Sequence, residues 1–139
     1  MAQFVKDVMT PNPVSLPSDA SATDAARQMQ GNDTGAILIA EGDTLRGIVT
    51  DRDIVVRAVA EGQNPDDCRI GDIGTTDPVT VSADQSVEEA ISILREHKVR
   101  RIPVVDGSKP VGIVSIGDLA LERDRESALA DISGAPANN

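Results

Sequence analysis

Two short stretches of the 139-residue chain carry residue types that could do chemistry, and they share one pattern. In Gly47-Ile48-Val49-Thr50-Asp51-Arg52-Asp53 a hydroxyl residue stands three positions before a carboxylate. The order returns in Gly112-Ile113-Val114-Ser115-Ile116-Gly117-Asp118. Each reads as a strand running into a helix, with Thr50 or Ser115 at the N-cap and Asp53 or Asp118 in the first turn. A hydroxyl and a carboxylate beside a helix start can hold a sugar-phosphate. The carboxylate accepts from vicinal ribose hydroxyls, and the exposed N–H groups and helix dipole favour an anion. For a single copy, plain capping is the commoner use of these residues. Their repetition strengthens the functional reading.

The elements that must position these residues are themselves repeated. Sliding the chain by 65 positions aligns Val5–Ile54 with Ile70–Leu119 without a gap, and 13 of those 50 positions are identical. Composition alone would give about three. Each copy starts with a short helical turn (Val5–Met9; Ile70–Ile73), followed by a brief strand (Val14-Ser15-Leu16; Val79-Thr80-Val81). A helix then opens at Ser21 or Ser86. Ser86-Val87-Glu88-Glu89 fits the capping box, whereas Ser21-Ala22-Thr23-Asp24 is a weaker version of it. Apolar residues at helical spacing (Ala22, Ala25, Ala26, Met29; Val87, Ala90, Ile91, Leu94) supply one stripe per helix. Two strands follow, Ala36–Ala40 with Leu45–Val49 and Ile102–Val105 with Val111–Val114, joined by glycine-containing hairpin turns. A closing helix is expected from about Asp51 to Ala60, and again from about Ile116 to Glu122.

The fold expected is α/β (α+β), as two tandem β-α-β-β-α units. Neither half buries enough to be secure alone, so they should meet sheet to sheet about a pseudo-twofold axis. The divisions expected are residues 1–62 for the first repeat, 63–69 for a connector, 70–124 for the second repeat and 125–139 for a frayed tail.

Composition narrows the function. Phe4 is the only aromatic residue, so a bound base would lie between aliphatic side chains. The net charge of −10 argues against nucleic acid and anionic membrane surfaces as partners. No apolar run reaches membrane-spanning length, no signal peptide is evident, and a single cysteine, Cys68, suits a reducing cytoplasm. A cytoplasmic location is expected. One His and one Cys leave no spaced nucleophile–base–acid set, so no catalytic residues and no enzyme are expected. No metal site is expected either: Cys68 lacks a spaced partner ligand, and His97, near a helix end, suits the dipole.

The tandem unit resembles a pair of CBS domains, a Bateman module. The likeness rests on Val8-Met9-Thr10-Pro11 with Pro13-Val14, Val99-Arg100-Arg101-Ile102-Pro103-Val104-Val105-Asp106 and the two glycine-led segments, and it covers about Val5 to Arg123. The resemblance implies two clefts that bind AMP, ADP, ATP or a related adenosyl ligand such as NAD or S-adenosylmethionine, with no required cofactor. It puts ribose hydroxyls on Thr50 and Asp53 in one cleft and on Ser115 and Asp118 in the other. The backbone near Val14 and Val79, with the strands at Ile37 and Ile102, would flank adenine. Arg52, Arg100 and Arg101 are the candidates for phosphate, and Arg57 a weaker one. The second repeat has the family-like Pro103 where the first has Leu38.

The function implied is a non-catalytic regulatory module, an energy or metabolite sensor acting on a protein target in trans. The alternative is a structural or dimerisation module with vestigial clefts. The resemblance also implies a homodimer, a four-repeat disc. Ile54-Val55-Val56 and the apolar stripe Val87–Leu94 are the surfaces expected to build it.

Overall fold

The computed structural model describes residues 4–121. The tail expected from residue 125 and the final residue of the second closing helix, Glu122, lie outside the described residues. The first repeat contributes α1 (Val5–Val8), β1 (Thr10–Pro11), β2 (Ser15–Leu16), α2 (Ala22–Asn32), β3 (Ala36–Glu41) and β4 (Thr44–Thr50). It closes with α3, which starts at Asp51–Asp53 and continues through Ile54–Val59 as a π-helix. The second repeat contributes α4 (Ile70–Ile73), β5 (Thr75–Thr76), β6 (Val81–Ser82), α5 (Val87–His97), β7 (Arg101–Asp106), β8 (Lys109–Ser115) and α6 (residues 116–121). The expected β-α-β-β-α order is present twice. The short strands β1 and β5 are additions to it.

Local chemistry accounts for the boundaries. Ser21 accepts from the Asp24 N–H, while Ser86 and Glu89 form a reciprocal box, as the side-chain lengths of Asp and Glu suggested. Asp33 and Lys98, in the left-handed region, end the two long helices. The β3–β4 and β7–β8 hairpins turn at Gly42 and Gly107, whose φ values of 62° and 66° suit glycine. The first closing helix departs from the α geometry expected. Ala60 N–H reaches back to Val55 O and Gln63 N–H to Ala58 O, the wider i→i+5 spacing. Its β-branched run Ile54-Val55-Val56 has low preference for a tight α-turn.

Two four-stranded sheets form, in the orders β2-β3-β4-β5 and β1-β8-β7-β6. Each therefore takes one short strand from the other repeat. β1 pairs antiparallel with β8, and β5 with β4. The helical turns follow their strands. Val5, wholly buried, sits in the second repeat's core with Val87, Leu94, Ile102 and Val114, while Ile70 and Ile73 sit in the first repeat's core with Met29, Ile37 and Val49. A third apolar cluster, Ala36, Leu38 and Ile48 with Leu45 and Ile113, lies where the sheets face each other. Along β3, Ile37 and Ile39 face the helices and Leu38 faces the opposite sheet, the alternation of a strand covered on both sides. The repeats thus exchange core residues and meet across the third cluster, as their small size requires.

Both short strands start later than expected, β2 at Ser15 and β6 at Val81, and the delay is longer in β6. In the first repeat the Leu38 N–H donates to Val14 O at 3.0 Å. The equivalent residue in the second repeat is Pro103, which has no N–H. That bond cannot form, and pairing begins at Val81 with Val104.

Candidate functional site

Each hydroxyl–carboxylate pair sits where a central strand becomes the closing helix. Thr50 ends β4 opposite Ala36, and Ser115 ends β8 opposite Arg101. Both junctions are reciprocal caps. The Asp53 N–H donates to Thr50 Oγ1 at 3.2 Å and the Thr50 N–H to Asp53 Oδ2 at 2.9 Å. At the second junction the Asp118 N–H donates to Ser115 Oγ and the Ser115 N–H to Asp118 Oδ2, both at 3.1 Å. Backbone bonds from Asp51 to Gly35 O and from Ile116 to Arg100 O tie each helix start to the adjoining strand in the same way. Capping uses the hydroxyl as an acceptor and one carboxylate oxygen. The hydroxyl proton and Oδ1 remain the atoms suited to vicinal hydroxyls of a ligand. All four side chains are half-buried.

The first junction carries a further contact. Arg57, in the π-helical turn, donates from Nη1 to Ile73 O at 3.0 Å, and its Nε lies 4.0 Å from Asp53 Oδ1. It therefore braces Asp53 against α4. The position 65 residues on is Glu122, outside the described residues.

Of the basic residues expected to meet phosphate, Arg52 and Arg100 are exposed, at the first turn of α3 and the approach to β7. Arg101 is half-buried and crosses between repeats: its Nη1 lies 3.8 Å from Asp51 Oδ1. Val14 and Val79 are half-buried. Val14 O is occupied by Leu38, whereas Pro103 leaves Val79 without the corresponding donor. The side chains of Ile37 and Ile102 are wholly buried in their own repeats' cores and are not exposed for contact with a base. Sequence reasoning missed Asp51 and Gly35 as neighbours of Arg101. The signal was there: their equivalents are Ile116 and Arg100, the least alike pairs beside the motif.

Cys68 lies in the first repeat's core, and burial followed by the charge of Asp72 pushes its thiol pKa upward. His97 is exposed in the last turn of α5. Among the described residues no three His, Cys, Asp or Glu side chains gather where a metal ion could be held. No helix among them is long and apolar enough to cross a membrane.

Tandem β-α-β-β-α units with two capped strand–helix junctions define the class. The chain belongs to the CBS domain family, whose model matches residues 5–59 and again 70–124. It is similar to the uncharacterized protein YlbB of Bacillus subtilis (strain 168), 42% identical over 135 residues, covering 93% of this chain and 90% of that one. The crystal structure of Hypoxic Response Protein I with two coordinated zinc ions aligns with a TM-score of 0.73 at 34% identity, covering 85% of this chain and 97% of that one. The CBS domain pair of protein MJ0100, solved in complex with 5-methylthioadenosine and S-adenosyl-L-methionine, aligns with a TM-score of 0.81 at 25% identity, covering 91% and 99%.

Proposed function

We propose that this chain is a non-catalytic regulatory module that binds an adenosine nucleotide (AMP, ADP or ATP) or a related adenosyl ligand in clefts between its two repeats. The observation that carries this reading is the hydroxyl–aspartate pair built twice at equivalent junctions, each with one carboxylate oxygen left over from capping. The adenosyl ligands of the MJ0100 pair support the ligand class. Thr50 and Asp53, or Ser115 and Asp118, would take the ribose, and Arg101, with Arg52 and Arg100, the phosphate. The unpaired side of Val79 would offer a backbone acceptor to the base. The module would act on a protein target in trans, in the cytoplasm. It would do so as a homodimer joined through the closing-helix faces, where Val55, Val56 and Val59 are exposed.

Calorimetric titration of the purified chain with adenosine, AMP, ADP, ATP, NAD and S-adenosylmethionine tests the reading, with Asp53→Ala and Asp118→Ala alongside. Micromolar binding of one ligand, lost in one variant, is expected. One observation favours the second reading, a structural module with vestigial clefts: reciprocal capping already employs all four side chains. Silence across the panel from folded protein would select it.

A further inference from the structure

The Arg101–Asp51 pair joins residues of different repeats, and the internal symmetry provides no second copy. The positions 65 residues away are Ala36 and Ile116. Space for the pair depends on Gly35, since a Cβ there would lie 2.7 Å from Arg101 Nη2 and 2.9 Å from Asp51 Oδ2. Arg101 is opposite Ser115 in register and Asp51 follows Thr50, so the guanidinium stands between the two capped junctions. At 3.8 Å the pair is electrostatic and lacks hydrogen-bond geometry. The Asp51 side chain is 63% exposed and that of Arg101 33%, so the attraction is screened. Asp51 Oδ1 also accepts from the Arg52 N–H at 2.8 Å, and the residue lines a groove of about 370 Å³ with Ala26, Met29 and Ile54.

We propose that Asp51 is a specificity-determining residue: it competes for Arg101 with the phosphate of a bound nucleotide and must yield before that phosphate is held. The inference rests on the nucleotide-binding reading for the identity of the ligand. A phosphate forms bidentate, charge-assisted hydrogen bonds with a guanidinium, a geometry the distant Asp51 does not supply. An uncharged adenosyl ligand leaves the pair intact. A nucleotide breaks the Arg101–Asp51 ion pair between the repeats, which gives phosphate a means of changing how they are held together.

The test is calorimetry of the full chain with adenosine and AMP at low salt, comparing wild type, Asp51→Asn, Arg101→Gln and the double variant. Asp51→Asn should tighten AMP about two- to five-fold, the range of an exposed ion pair, with adenosine unchanged. Arg101→Gln should bring AMP towards adenosine in affinity, and Asp51→Asn should then add nothing. Unchanged or weakened AMP binding in Asp51→Asn, or a gain that survives Arg101→Gln, overturns the proposal. The Arg101 Nε–H resonance, followed by NMR during titration with inorganic phosphate, separates the two readings. If neither adenosine nor AMP binds, but phosphate moves this resonance at lower concentration in Asp51→Asn, the nucleoside reading falls and the competition stands. A resonance unmoved by phosphate and by AMP overturns the competition itself.

Discussion

Thr50 and Asp53 hold each other in place: each side chain accepts from the other's backbone N–H, at 3.2 and 2.9 Å. The same contacts leave the hydroxyl proton and Oδ1 outside the cap. Replacing Thr50 by Val keeps the shape and removes the acceptor. Thr50→Val should lower stability by about 0.5–2 kcal/mol in urea unfolding. Thr50→Ser should stay close to wild type.

Val5 is read as part of the first repeat in sequence yet is wholly buried in the second repeat's core. Val5→Ala removes the equivalent of two methylene groups there and should cost about 1.5–3 kcal/mol. Amide exchange should quicken first in β7 and β8. Loss of protection confined to β3 and β4 would contradict the exchanged packing.

Gly47 and Gly112, the glycines that lead the two motifs, lie under the exchanged strands. A Cβ on Gly47 would come 2.5 Å from Thr75 O, and one on Gly112 2.5 Å from Met9 Sδ and 3.0 Å from Thr10 O. Gly47→Ala should push β5 off its sheet at a cost of about 1–3 kcal/mol, seen as a lower unfolding midpoint and faster exchange in β5. The hairpin glycine Gly42 has open space around it but a φ of 62°. Gly42→Ala should therefore cost only the backbone strain, about 1–2 kcal/mol, and leave β5 protected.

Glu89 accepts from Gln85 Nε2 and from the Ser86 N–H and Oγ, and these bonds hold its pKa below the ordinary 4.5. A depressed folded-state pKa means the contribution is present above the ordinary value and fades as pH falls through the folded one. Glu89→Gln should therefore be less stable than wild type at pH 7, and the gap should close on acidification below about pH 4. A gap that widens in acid would reverse the sign.

Val55, Val56 and Val59 are 58%, 45% and 56% exposed on the first closing helix. Of the surfaces expected for a dimer, Ile54 is instead buried, and Val87, Ala90 and Leu94 are consumed in the second core. If the valine face joins two copies, sedimentation should give a dimer, and Val56→Asp a monomer with unchanged circular dichroism. A wild-type monomer at all concentrations would remove that interface.

The local parts of this protein were legible in its residues. Ser21 and Ser86 start helices, Gly42 and Gly107 turn hairpins, and Thr50 and Ser115 cap the closing helices, because each depends on neighbours within a few positions. The 65-residue period likewise determined that two like units exist. Tertiary structure alone decided which unit each segment serves. Val5 and Ile70 occupy equivalent places and either aliphatic core would accept either residue, so apolar pattern cannot distinguish the exchanged arrangement from the unexchanged one. Sheet pairing across the chain does, by laying β1 on β8 and β5 on β4. The same holds at the candidate site. The capped pairs follow from spacing, but Arg101 meets Asp51 only because packing brings the ends of two strands from different repeats together. Charge at a distance has no period in sequence; it is created by the fold.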